Sequence, residues 1–364
     1  MKWLNRMLLG LGLGFLAYLI WKVGPGELWH QVSALGWGVV LLIGVEGVAN
    51  MAHTVGWRHC IQERHGQVSL LHLFRIGMAG YAINYLTPTG SVGGELSRAA
   101  LLAESQKGSQ AVTSVLLDKL MTAVAHLVLV VLGALFLFWR VSLPFQLWVA
   151  MAMTTGLLTA GILIFLLLQK HGKLGALCRW LVDHKVGGRS VEQAAEKISK
   201  VDEALKQFYR EHPRGLLLSV WWHLLGHSAA ILHAWLFLYL LGQPAPLVTV
   251  TAAGLLSLWF DLLTFAVPLN LGTLEGGRIV VFKALGCQGL LGMAFGVAMR
   301  IAQVFWACFG LVSYAQMAAK RACPDSGRVL TSLARVVTEA TQGQQGMRGS
   351  QANDRETEKS AVLK

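Results

Sequence analysis

The chain has 364 residues, 54% of them hydrophobic and 14% charged, with a formal net charge of +12 at pH 7. Soluble domains carry roughly 25% charged residues, so this composition excludes a soluble protein and predicts an all-α, polytopic membrane helix bundle. The bases lie in segments flanking apolar runs, where they set topology, which excludes a nucleic-acid partner.

From the N-terminus, Lys2 and Arg6 precede an apolar run to Trp21 with no small-residue cleavage pattern after it, so the run is read as an uncleaved anchor. Apolar stretches of spanning length cover about 4–21, 34–55, 111–139, 145–168, 215–241 and 290–319. Two further runs are broken: 70–86 leads into Thr87-Pro88-Thr-Gly-Ser-Val-Gly93-Gly94, and 246–267 leads into Pro268-Leu-Asn-Leu-Gly272. A short helical piece follows each break. Segment 169–214 holds ten Lys or Arg against six acids, and the tail from Lys320 holds eight against five, so both are assigned to the cytoplasm. Apolar residues at three- and four-residue steps from Val191 to Phe208 predict an amphipathic helix in that loop. The polar tail 320–364 has the composition of a disordered segment.

A cytoplasmic N-terminus and cytoplasmic segments at 169–214 and 320–364 leave one solution. The broken segment 70–103 must enter and leave from the cytoplasm, and 246–285 must enter and leave from outside. Sliding the sequence along itself until Pro88 meets Pro268 also brings Glu95 onto Glu275 and Arg98 onto Arg278, a shared P-x6-E-x2-R pattern. Backbone freed by Pro and Gly at membrane depth survives only where it lines a cavity or is buried in protein. The sequence therefore predicts two re-entrant, broken helical hairpins in an inverted repeat, the first half at about 1–139 and the second at about 145–319, around a polar site near the midplane.

The candidate site residues are Arg98, Arg278, Glu95 and Glu275, supported by Pro88, Gly93, Gly94, Pro268, Gly272, Asp118, Lys119, Arg300 and Asp261. Each Glu and Arg pair sits at i and i+3 on one side of its helix. An ionisable group at a helix centre costs roughly 2.5–3.5 kcal/mol on insertion scales, so these groups must pair or face water. Pairing within or between the hairpins is one account of the glutamates, and substrate binding, by orienting the arginines or meeting a cationic headgroup, is the other; a guanidinium fork suits an anionic headgroup and gives the arginines a binding role. Asp118 lies about 12 Å into its span, counted from Ala111 at ~1.5 Å per residue, with Lys119 beside it and Arg300 at a comparable depth in the last span. These three are expected to hold the motif residues in place. Asp261 and Glu46 are alternatives for a cation or proton site, or else protonated carboxyls at helix contacts. His223 and His227 stand one turn apart, but the Glu of H-E-x-x-H is missing, and with Trp221 and Trp222 they read as an interfacial aromatic belt. The five cysteines have no C-x-x-C spacing, so no metal and no other cofactor is expected.

At Asn84 through Leu102, at Ser114-Val-Leu-Leu-Asp118-Lys119 and at Pro268 through Gly286, the sequence resembles the transmembrane domain of the lysylphosphatidylglycerol synthase/flippase superfamily, including its stand-alone and hopanoid-associated members. The resemblance covers nearly all of 1–319 and implies a bacterial inner-membrane, flippase-like protein, not an enzyme, that moves a polar-headed or anionic lipid between leaflets. Its implied partners are that membrane lipid and enzymes of lipid synthesis. The aminoacyltransferase domain of the bifunctional members is not expected in the residues after the last span. The second motif departs from the pattern, with Leu269-Asn270-Leu271 where relatives are richer in Pro and Gly. Two rival classes stay open. A lipid-modifying membrane enzyme would gather catalytic groups at one face, with His223 and His227 beside Glu95. A non-transporting partner in a lipid-synthesis complex would dock through the helix at 191–208.

Overall fold

The computed structural model describes residues 14, 17–22, 24–61, 68–86, 92–105, 108–170, 205–264 and 272–322. Pro88, Pro268, most of the anchor at 4–21, most of the loop 169–214 and the tail beyond 322 lie outside them. Every regular element among the described residues is helical. Besides the helical residues at 17–22 and 205–211, the helices in chain order are α1 (Pro25–Ala34), α2 (Gly38–Arg58), α3 (Leu70–Leu86), α4 (Val92–Leu102), α5 (Gly108–Arg140), α6 (Phe145–Lys170), α7 (Pro213–Leu240), α8 (Leu247–Thr264), α9 (Thr273–Ala284) and α10 (Gly289–Ala322). α2, α5, α6, α7 and α10 are long and apolar enough to cross a bilayer. They match five of the six spans read from hydropathy.

α4 and α9, at 11 and 12 residues, reach only about 16–18 Å at ~1.5 Å per residue, half of a ~30 Å hydrocarbon layer. Each folds back on the helix before it. Along α3 and α4, Asn84 Oδ1 accepts the Gly94 N–H at 2.7 Å, and Gly80 lies against the Arg98 side chain. The pairing runs backwards on one helix as it advances on the other, so the two form an antiparallel hairpin. The approach is so close that a Cβ on Gly94 would collide with the Gly80 carbonyl oxygen. α8 and α9 pair likewise, with Phe260 against Gly277 and the Ser257 carbonyl on Arg278.

The two halves correspond element by element. α7, α8, α9 and α10 repeat α2, α3, α4 and α5 in the same order and at nearly constant separation along the chain. The equivalent helices α2 and α7 lie antiparallel against each other, with Gly38 meeting Leu240 at one end and Gly56 meeting His223 at the other. Equivalent elements running in opposite directions are what an inverted repeat requires. α6 has no counterpart among the described residues and packs outside α5.

Lipid tails are as apolar as leucine, so close packing rather than hydrophobic burial holds such helices together. Small residues permit it: Gly292 and Gly296 of α10 lie against the backbone of Arg278 and Glu275. Phe237, Phe282 and Phe295 fill the space among α7, α9 and α10, with ring centroids 5.1–6.3 Å apart. Trp37 and Trp139, at one end of α2 and α5, are 87% and 83% exposed, as expected of an aromatic belt at a membrane interface.

Candidate functional site

In the first half, α4 presents Glu95 and Arg98 one turn apart to α5. Arg98 Nη1 donates to Glu95 Oε2 at 2.8 Å and Nη2 donates to Asp118 Oδ2 at 2.5 Å. Lys119 Nζ reaches the other Glu95 oxygen at 3.3 Å. The guanidinium lies 3.9 Å over the Trp57 ring, a cation–π contact that replaces part of the lost hydration. Asp118 turns its second oxygen to His223 Nε2, 3.1 Å away. Gly93 accepts the Ser97 hydroxyl at 2.9 Å in the first turn of α4.

In the second half the pairing differs. Glu275, 1% exposed, is held by Arg300 from α10 at 2.8 and 3.1 Å. Its Oε2 also accepts the Gly272 N–H at 3.0 Å, closing the start of α9, where Gly272 supplies the positive φ of 73° that the turn needs. Arg278 instead grips Asp261 of α8 through Nη2, at 2.8 and 3.0 Å, and gives Nη1 to the Ser257 carbonyl at 3.1 Å. Glu275 and Arg278 thus do not pair, although they stand at i and i+3. The reason is the neighbouring helices: α10 offers a base to the glutamate and α8 an acid to the arginine. Arg300 also donates to the Tyr85 hydroxyl of α3 at 3.3 Å, linking the second motif to the first hairpin.

Both motif arginines retain one buried donor, Nε, without a hydrogen-bond partner. A buried donor left unpaired costs about 1–3 kcal/mol, more when charged.

Two polar cavities of about 160 Å³ each open at these residues. The first is bounded by Trp57, Glu95, Arg98, Asp118 and His223, the second by Glu46, His233, Asp261 and Arg278. Positions 50, 53, 77, 78, 98 and 119 line the first, and the positions equivalent to them in the second half, 230, 233, 257, 258, 278 and 299, line the second. The cavities are therefore related by the repeat, and Asn50, His53 and His227 border both. Glu46 lies 3.7 Å from His233. A larger groove of about 570 Å³ runs between α5, α6 and α8, lined by Leu116, Leu120, Leu157, Leu158 and Leu262. Lys119 borders both this apolar groove and the first polar cavity.

The reading of His223 and His227 as part of an interfacial belt is corrected: His223 is 1% exposed and hydrogen-bonded to Asp118, while Trp221 beside it does face outward. Helical periodicity turns neighbours to opposite faces, which a stretch read as one block conceals. Sequence reasoning also misses His53. The offset that aligns the two motifs carries His53 onto His233, and that further coincidence is the available signal. Among the described residues no group of three or more His, Cys, Asp or Glu is disposed to hold a metal ion.

Fold and cavities together define a multi-pass, all-α membrane protein with polar sites inside an inverted repeat. The chain belongs to the family described as the lysylphosphatidylglycerol synthase TM region, whose model matches residues 6–310. Membership connects it to membrane-lipid function. No curated protein and no solved structure matches the chain.

Proposed function

We propose that this protein is a flippase-like lipid transporter that moves a polar-headed or anionic lipid between leaflets without chemically altering it. The observation that carries this reading is the join at Lys119 between the apolar groove and the first polar cavity. An amphiphile needs such a pair of surfaces, an oily one for its chain and a charged one for its head.

The charges in the first cavity suit exchange. Arg98 and Lys119 face Glu95 and Asp118, so the four groups balance. An arriving phosphate takes the place of Glu95 on Arg98 and gains the idle Nε donor, while Glu95 keeps Lys119 as its counter-ion. Asp118, tied to His223, holds the guanidinium in place throughout. Arg278 plays the same part in the second cavity, with Asp261 as the carboxylate displaced. Alternating access then follows from rocking one half against the other. Arg58, Arg210 and Arg214 stand at the α2 end, the start of α7 and the residues before it, and this supports a cytoplasmic inner-membrane orientation with both termini inside.

The test is reconstitution with a fluorescent phospholipid and measurement of transbilayer movement. Arg98→Ala and Arg278→Ala should each abolish it; movement unchanged in both would remove the role assigned to the arginines. A second reading, a lipid-modifying enzyme, is favoured by the fact that His223 and His227 line the same cavity as Glu95. It requires a new lipid species by mass spectrometry when the purified protein is incubated with membrane lipid. An unchanged lipid that has crossed the bilayer supports transport instead.

A further inference from the structure

Histidine rings from α2, α5 and α7 gather at the boundary between the two cavities. His53 and His223 meet nitrogen to nitrogen, Nδ1 to Nδ1 at 2.8 Å. That separation is a hydrogen bond only when one of the two nitrogens carries a proton and the other does not. One proton is therefore shared between two helices. His223 continues through Nε2 to Asp118 in the first cavity. The Cε1–Nε2 edge of His53 lies against Gly226, which lines the second cavity. His227 stacks edge-on against His53, with centroids 4.7 Å apart, and against His126 at 4.8 Å.

This arrangement is expensive for packing alone. Gly56 makes room for His223 and Gly226 makes room for His53, each glycine on the helix opposite the ring it admits. A glycine inside a helix costs about 1 kcal/mol relative to alanine. Nε2 of His126 and of His227 is buried without a hydrogen-bond partner. A leucine or phenylalanine pair would fill the same space without leaving buried ring nitrogens to be satisfied.

We propose that His223 and His53 form a proton relay between the two polar cavities, with Asp118 as its terminus in the first. A proton taken from water in the first cavity at Asp118 Oδ1 passes at once to His223 Nε2, His223 releases its Nδ1 proton to His53 Nδ1, and His53 gives up its Nε2 proton to water in the second cavity. One proton enters and one leaves, no bond other than N–H and O–H changes, and the rings turn to reset. The charged and titratable groups around the pair are Glu95 and Arg98 on α4, Asp118, Lys119 and His126 on α5, and His227 on α7. Across the second cavity stand Glu46 on α2, His233 on α7, Asp261 on α8 and Arg278 on α9. Chains of acids and histidines of this kind carry protons in membrane pumps and transporters. That the relay couples to lipid movement rests on the transport reading above; that it conducts protons does not.

The experiment uses vesicles of phosphatidylcholine and phosphatidylglycerol holding the full chain, a trapped pH dye and a fluorescent phospholipid. After an external pH jump, with potassium and valinomycin clamping the voltage, internal pH should follow in vesicles with protein and lag in those without. His53→Phe and His223→Gln should each slow this by at least about tenfold, and His126→Phe, a ring of the cluster outside the relay, should not. Elution volume and melting temperature in detergent identify any variant that fails to fold, and His53→Gln then replaces His53→Phe. No protein-dependent proton flux in the wild type, or flux undiminished in the folded His53 and His223 variants, overturns the relay. Lipid movement without proton flux overturns the relay and leaves transport standing; proton flux without lipid movement does the reverse.

Discussion

Arg278 is bound to Asp261 on the preceding helix and not to Glu275, which stands one turn before it on its own. Its equivalent, Arg98, holds both the glutamate of its own turn and an aspartate from the following helix. The same motif is neutralised by different neighbours in each half. Double-mutant cycles should read this directly. Coupling of about 0.5–3 kcal/mol is expected between Arg278→Met and Asp261→Asn and between Arg300→Met and Glu275→Gln, with none between Arg278→Met and Glu275→Gln. Thermal unfolding in detergent is the measurement, and coupling confined to the Glu275 and Arg278 pair would contradict the assignment.

Asp118→Asn should be the most damaging single change in the first cavity. It removes the carboxylate shared by Arg98 and His223 and leaves a buried guanidinium one partner short, at a cost of about 3–5 kcal/mol. Glu95→Gln should cost less, because its other partner, Lys119, is half-exposed and can hydrate. The order of the two melting temperatures checks this.

Gly94→Ala should destabilise by about 1–3 kcal/mol or more, since the added methyl collides with the Gly80 carbonyl and loosens the hairpin. Gly156→Ala, in the middle of α6 with open space around it, should be neutral or gain up to about 1 kcal/mol. Equal effects in melting experiments would mean that α3 and α4 do not touch.

Filling the apolar groove should separate transport from stability. Gly161→Phe projects into the groove from a position with nothing within 4 Å, so it should slow lipid movement about tenfold while melting stays within ~0.5 kcal/mol of wild type, the usual range for surface changes. Met153→Phe, exposed on α6 away from the groove, is the control and should transport normally. Equal rates in both variants would argue against an acyl chain lying there.

Much of the fold could be read along the chain because a bilayer enforces it: about 20 apolar residues make a span, and Pro and Gly clusters mark where a span fails. The alternation of basic loops then required two hairpins facing each other, and Glu95, Arg98, Glu275 and Arg278 fell inside them. What escaped depends on contacts between distant segments. Nothing near Arg278 in sequence announces that Asp261, one helix back, outcompetes Glu275. Nor does the stretch from Trp221 to His227 reveal that His223 will meet an aspartate from another helix, far earlier in the chain. The groove beside Lys119 is a product of three helices, and no one of them carries its pattern.

Asn50 and His53 border both cavities, because they sit where the two halves meet. Residues far from that meeting point differ between the two halves, as the unequal partners of Arg98 and Arg278 illustrate. A residue on the seam serves both cavities at once. Any replacement there is felt in both compartments at once, so the seam should be the slowest part of this protein to diverge.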